Sequence, residues 1–370
     1  MIKPKILIVG SFPKSKMKIY GGIAKSCEIL LKSKEFSSFN LITFDSSQIS
    51  NPPPSFLIRS LYALSRLIRF PYILVFHKPK CVLIFCSDGA SAIEKGLLII
   101  IARLLGIPSL IFPRAGNLIN QVNKSRTFLG LIKIMFGRAE IFLAQGKQWK
   151  EFAQESLKIS PMNIKIINNW TATKDLIKIG TERKIYIKEN GLEILFVGWL
   201  EKEKGIMELL GALKNLKERN IKFNMTFIGD GNILGQAKKF VCMNNLTNNV
   251  SFKGWLDFDQ IKQYLKLSDV FILPSWQEGM PNALIEALAC ALPSIVTSVG
   301  VIPNYLNNLE NAVLVKPKNS EALEGALYRL ITDFELRKKL SKNGLLVAKS
   351  VFLSKRSLEK LCRVINQSIN

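Results

Sequence analysis

Two glutamates eight residues apart, Glu278 and Glu286, lie in a block from Ser268 to Ala289 that reads strand, Pro-Ser, Glu-Gly, Pro, helix. The apolar run Val270–Leu273 predicts a buried strand, and the sequence from Pro281 onward predicts a helix. Gly279 lets the backbone approach a ligand closely, and N–H groups at a helix start can hold hydroxyls or a diphosphate. That places Gly279, Met280, Pro281 and Asn282 at the helix mouth with Glu278, while Glu286 sits about two turns further along. The two carboxylates can then meet different parts of one ligand. As a bare spacing, paired glutamates occur on any surface helix; the strand, glycine and proline around them make the pattern specific.

A second block, Leu195 to Ile206, repeats the logic: strand, Gly198, a short loop, Lys204, helix. A lysine beside a helix start is a counter-charge for a diphosphate, and the helix dipole adds to it. Gly229-Asp230-Gly231 forms a tight turn after another strand. In the first half, Gly21-Gly22 lies between a strand and a helix, and Arg114 and Asn117 follow the end of the strand Pro108–Phe112.

The elements that carry these loops alternate along nearly the whole chain, as parallel sheets with crossover helices do. Strands are predicted at Lys5–Gly10, Phe39–Phe44, Cys81–Cys86, Pro108–Phe112, Glu140–Ala144 and Ile164–Ile167. After a polar, lysine-rich break, a new series runs through Leu192–Val197, Phe223–Ile228, Asn249–Lys253, Val270–Leu273, Pro293–Thr297 and Ala312–Val315. The expected organisation is a first Rossmann-like domain over 1–170, a linker over 171–190 and a second Rossmann-like domain over 191–352, with a C-terminal helix over about 353–370 packing back on the first. At 370 residues the chain exceeds what one core usually organises. Ligands in open α/β sheets bind beyond the carboxyl ends of the strands, where the glycine loops lie.

Charge is unusual: 52 Lys and Arg against 28 Asp and Glu give +24, and residues 1–170 alone hold 24 basic and 8 acidic residues, or +16. An anionic partner follows, whether nucleic acid, membrane surface or phosphorylated substrate. Within that half, the stretch 56–70 is apolar nearly all round, with Arg59, Arg66 and Arg69 at helical spacing. It fits a helix lying on an anionic bilayer, and equally a packed helix with snorkelling arginines. The N-terminal apolar run is too short for a signal peptide, and prolines and glycine break the longest uncharged run, Ala287 to Leu309, so the expected location is cytoplasmic, peripheral on the inner membrane face. The six cysteines form no CxxC pair and His77 is the single histidine, which argues against a Cys/His metal site and for reduced, mostly buried thiols. His77 precedes a strand, at the end of the sheet away from the glycine loops.

The block around Glu278 and Glu286 resembles the EX7E signature of retaining GT-B glycosyltransferases of family 4, the RfaG/WaaG-like group that builds lipopolysaccharides and capsules. The resemblance implies an α/β fold of two facing Rossmann-like domains with a donor cleft between them. It places Glu278 at the donor sugar near the anomeric centre, Glu286 on the ribose hydroxyls, Lys204 on the donor phosphates, and Gly21, Gly22, Gly198 and Gly229 among the donor-binding residues. Arg114 stands where many relatives have a histidine that contacts the sugar; with Asn117 it falls on the acceptor side. Trp199 occupies the place of the usual arginine, so either another base such as Lys202 compensates or Lys204 acts alone, and Asn304 replaces a common glutamate.

The implied reaction moves a sugar from a UDP- or GDP-linked donor to a glycan or lipid-linked acceptor in surface polysaccharide or lipopolysaccharide synthesis, with no cofactor beyond the nucleotide sugar. No acidic metal-binding DxD loop is evident where a divalent cation would be needed, so no metal is expected, and basic residues with helix ends must stabilise the leaving diphosphate. A sugar-nucleotide 2-epimerase of the same fold and a catalytically silent, membrane-associated scaffold are the alternatives. A nucleic-acid partner is not expected, because no helix-turn-helix, zinc or RNP pattern accompanies the charge.

Overall fold

A computed structural model of the chain describes residues 3–12, 21–47, 54–188 and 191–369. Tyr20 and residues 189–190 lie outside the described residues. Contacts divide the chain into two units, Met1–Trp170 with Ser354–Asn370, and Thr171–Leu353.

The first unit runs β1 (Lys5–Gly10), α1 (Gly22–Lys32), β2 (Asn40–Asp45), α2 (Phe56–His77), β3 (Cys81–Cys86), α3 (Ala90–Leu104), β4 (Ser109–Pro113), α4 (Asn117–Lys124), α5 (Arg126–Phe136), β5 (Ile141–Ala144), α6 (Lys147–Glu155) and β6 (Ile164–Ile166). Its strands are parallel in the order β2-β1-β3-β4-β5-β6. Strands such as β3, Cys-Val-Leu-Ile-Phe-Cys, are buried at every residue, because a parallel sheet covered by helices has no wet face.

The second unit runs α7 (Lys174–Glu182), β7 (Leu192–Val197), α8 (Ile206–Glu218), β8 (Phe223–Ile228), α9 (Leu234–Met243), β9 (Val250–Phe252), α10 (Phe258–Leu267), β10 (Val270–Leu273), α11 (Asn282–Ala289), β11 (Ser294–Thr297), β12 (Val313–Val315), α12 (Ser320–Thr332) and α13 (Phe334–Val351). Its parallel order is β12-β11-β10-β7-β8-β9. The final helix, α14 (Ser354–Ile369), returns to the first unit, where Leu358, Leu361 and Ile365 join the core around Ile6, Leu83, Phe112 and Trp170.

Each strand order reverses once. In the first sheet the chain steps from β1 to β2 on one side and then to β3 on the other; in the second, β7 leads outward to β8 and β9, and β10 returns to pair with β7. At such reversals the loops after the two central strands diverge to opposite faces and open a crevice at their carboxyl ends. In the second unit those are the loops that carry Lys204 and Glu278.

Residues 171–188, most of the stretch expected as a linker over 171–190, are bound into the second unit. Helix α7 packs on α11 and α13, and a Cβ on Gly180 would lie 2.2 Å from the Ala289 carbonyl oxygen, so only glycine permits that approach. Arg183 then donates to the carbonyls of Cys290 (2.5 Å), Ser268 (2.8 Å) and Leu265 (2.5 Å), satisfying groups that the ends of α10 and α11 leave open.

Candidate functional site

Lys204 closes a short 3-10 turn, Lys202–Lys204, in the loop after β7, and Gly205 follows it in the left-handed region at φ 68° as the N-cap of α8. A Cβ on Gly205 would fall 2.1 Å from the Pro274 carbonyl oxygen. The loops after β7 and β10 therefore touch main chain to main chain, and their side chains are delivered to one place. Across that contact Lys204 Nζ lies 2.5 Å from Glu278 Oε1, which also accepts from Ser275 Oγ at 2.7 Å. The pair is part-buried, with side-chain exposures of 25% for Lys204 and 11% for Glu278, so both remain reachable by a ligand. From the other side, Gly300 (φ 58°) presses the loop after β11 onto Glu278: a Cβ there would sit 1.9 Å from the Glu278 carbonyl oxygen.

Helix α11 begins on Pro281 as N-cap, and α8 on Gly205, both with no side-chain cap. In the first unit α1 likewise starts on Gly21 without a side-chain cap, and Gly22 is its first residue. By contrast α10, α12 and α13 are capped by the side chains of Asp257, Asn319 and Asp333. A helix start of this kind turns its positive dipole end toward an anion, a property shared with α2, α3, α4, α6, α7 and α9, whose N-caps also make no side-chain hydrogen bond. Gly279 and Met280 are buried at the α11 mouth, and Glu286 is 6% exposed further along that helix, on the second turn from Asn282.

Gly198 and Gly229 play a different part. The Gly198 N–H donates to Ile228 O (3.0 Å) and the Gly229 N–H to Gly254 O (2.8 Å), so these amides extend the sheet. Trp199, in the place of the usual arginine, meets Trp255 edge-on at 4.4 Å between ring centroids. Lys202 does not join Lys204. It lies 5.8 Å from the Trp276 ring centre, with Lys318 at 4.4 Å, and the Trp276 indole N–H donates to Glu208 at 3.1 Å.

In the first unit Arg114 turns inward. Its Nη2 donates to Ser26 Oγ (2.8 Å), its guanidinium lies over Phe112 (4.8 Å) and Trp170 (5.0 Å), and Nη1 is buried without a hydrogen-bond partner. Desolvation by burial pulls its pKa down to about 10. Ser26 belongs to α1, so Arg114 ties the end of β4 to the helix that starts at Gly22. Asn117 donates to Asp88 at 2.9 Å and links the loops after β3 and β4. His77 is the last residue of α2, before β3, at the amino end of that strand.

Sequence reasoning found the loops and missed their connections. Ser275 had a usable signal, being three residues before Glu278 in the same loop. Nothing in the sequence marked Lys318 as a neighbour of the site residues.

The sequence model of the family described as Glycosyl transferases group 1 matches residues 179–346, inside the second unit. MJ1178, an uncharacterized glycosyltransferase of Methanocaldococcus jannaschii, is 26% identical over 334 residues, covering 88% of each chain. The UDP-Gal:alpha-D-GlcNAc-diphosphoundecaprenol alpha-1,3-galactosyltransferase of Escherichia coli is 28% identical over 263 residues, which span 66% of this chain and 65% of that protein. Among solved structures, Anabaena Alr3699/HepE in complex with UDP-glucose aligns with a TM-score of 0.72 at 15% identity, over 98% of this chain and 99% of that one, a likeness of fold. The two parallel six-stranded sheets, the group 1 match across the second unit and these named relatives together support a GT-B glycosyltransferase.

Proposed function

We propose that the chain transfers a sugar from a UDP- or GDP-linked donor to a glycan or lipid-linked acceptor, with retention at the anomeric carbon, in the assembly of a surface polysaccharide or lipopolysaccharide. One observation carries the reading: Lys204 and Glu278 meet at 2.5 Å at the strand-order reversal of the second sheet, beside two helix starts that lack side-chain caps. The relatives' names point the same way, since the E. coli galactosyltransferase uses UDP-Gal and HepE is solved with UDP-glucose.

In this reading the diphosphate lies at the start of α8 and α11 with Lys204 as its counter-charge. Glu278, held by Ser275, orients the transferred sugar, and Glu286 accepts from the ribose hydroxyls. Gly279, Met280, Pro281 and Asn282 shape the mouth of α11. The bond from the anomeric carbon to the phosphate oxygen breaks, the acceptor oxygen bonds on the same face, and the acceptor proton leaves with the phosphate oxygen. No side-chain base is needed, and turnover is expected to persist in EDTA.

Calorimetric binding of UDP, GDP and the free nucleosides to wild type and Lys204→Met tests the phosphate assignment. Loss of one charge-assisted hydrogen bond to phosphate costs about 1.5–3 kcal/mol, more than tenfold in affinity, for the diphosphate alone. Equal loss for nucleoside and diphosphate overturns it. Glu278→Gln is expected to lower turnover with little change in nucleotide affinity, Glu286→Gln to weaken the nucleotide itself, and NMR of the first-formed product to show the donor's anomeric configuration.

A further inference from the structure

Helix α2 is the least covered helix of the first unit. Of its 22 residues only Phe70 and Leu74 are buried. Leu57, Leu61, Leu64, Ile68, Tyr72 and Val75 follow one another at spacings of four and three and therefore share one face of the helix. Their exposures lie between 54% for Leu64 and 70% for Leu57. Phe56 and Phe76 extend the apolar surface at the two ends, 75% and 68% exposed. A solvent-facing helix normally presents polar residues there, so a continuous apolar stripe about 30 Å long marks a docking surface.

Charge decides what docks. Helix α2 packs on α3 and α3 on α5, and the one carboxylate in these three helices is Glu94. Its side chain is 8% exposed and is held by Arg66 in a two-point fork at 2.6 and 3.0 Å and by Lys95 at 3.1 Å. The exposed charges on the three helices are Arg59, Arg69, Arg103, Arg126 and Lys133, all cationic. Isologous pairing with a second copy through α2 would face one arginine-rimmed stripe with another and supply no carboxylate to either. An apolar stripe with cationic flanks and interfacial aromatics instead matches a bilayer surface rich in acidic headgroups. Among the described residues no helix is long and apolar enough to cross a membrane, so the geometry calls for a helix lying in the interface. We infer that α2 docks the first unit onto anionic membrane, with Leu57, Leu61, Leu64, Ile68, Tyr72 and Val75 in the acyl boundary and Arg69, about 100° round the helix from the stripe, at the headgroup edge.

The test is co-sedimentation of the full chain with phosphatidylcholine vesicles, with and without phosphatidylglycerol at about one third, together with sedimentation velocity in the absence of lipid. Binding is expected to rise at least tenfold with the acidic lipid and to fall in high salt, because charges beyond about 8 Å are already screened at physiological ionic strength. Leu61→Ser with Leu64→Ser is expected to lower binding about tenfold or more, and Arg69→Gln to weaken the preference for acidic lipid. All three side chains sit outside the core, so unchanged circular dichroism and nucleotide affinity should accompany both results. A dimer dissolved by the serine pair, with no vesicle binding, overturns the inference in favour of a second copy. Equal binding to neutral and acidic vesicles, or full binding by both variants, overturns it outright. Neither outcome bears on the transferase reading, which rests on the second unit.

Discussion

Gly300 and Gly254 offer a matched pair for testing whether the loop after β11 positions Glu278. Both adopt left-handed backbone, at φ 58° and 67°, so an alanine at either carries the same conformational penalty, about 1–2 kcal/mol. Their surroundings differ. A Cβ at Gly254 meets nothing within 4 Å, whereas at Gly300 it falls 1.9 Å from the Glu278 carbonyl oxygen and 3.1 Å from that of Gly279. Those contacts are main chain, so relief requires the Glu278 loop itself to move, and such overpacking adds about 1–3 kcal/mol. Gly300→Ala should therefore cost roughly 2–5 kcal/mol in all, and with about 2–4 °C per kcal/mol for a unit of this size its melting point should drop by about 4–20 °C. Gly254→Ala should lose about 2–8 °C. Calorimetric melting gives the first readout, and donor turnover at a temperature where both variants remain folded gives the second. A displaced Glu278 should lower turnover in Gly300→Ala and leave Gly254→Ala close to wild type. Equal melting points, or equal turnover, would refute the claim that Gly300 holds the glutamate in place.

Two further outcomes follow from groups away from that loop. Cys27, Cys81, Cys86, Cys290 and Cys362 are buried, and burial pushes the thiols of Cys27, Cys81, Cys290 and Cys362 up to about 12; a thiol reagent at pH 8 should modify Cys242 alone in the native protein and all six in denaturant. Burial raises the pKa of Glu94, but the Arg66 fork and Lys95 more than offset it and hold the carboxyl below its ordinary range. Its contribution to stability is thus present above the unfolded carboxylate pKa and lost as pH falls through the lower folded value. Arg66→Met should cost about 3–5 kcal/mol near neutrality, measured by urea unfolding, and should flatten the acid limb of the stability profile.

The strands were legible because parallel strands covered on both faces are largely apolar runs, interrupted here only at Lys5, Glu193, Asn224 and Thr226: Lys5–Gly10, Cys81–Cys86, Leu192–Val197, Phe223–Ile228 and Val270–Leu273 have the bounds that their sequences announce. Helix α2 was read only over 56–70, since Pro71 looks like a stop, yet the helix continues through it to His77. The polar stretch after Asn168 resembled a linker because its anchors are remote: the glycine contact at Ala289 and the three carbonyls that hold Arg183 lie 80 to 110 positions downstream. For the site, local pattern gave the loops with Lys204 and Glu278. Their meeting depends on strand order, which local pattern does not encode. The same holds for Arg114, whose inward turn depends on Ser26 and Trp170, on other elements.

The Arg66–Glu94 fork also settles the roll of α2. A helix that is apolar on nearly every side gains little from one rotation about its axis over another, and each residue of slippage would turn it by 100°. A slip of about two residues, roughly 200°, would carry the Leu57–Val75 stripe toward α3 and leave the exterior studded with Arg59 and Arg66. Hydrophobic burial alone favours that outcome. A bidentate guanidinium pair, fixed in plane and direction, admits a single azimuth. The fork thus works as a rotational key: it keeps the stripe pointing outward against the tendency of the helix to hide it.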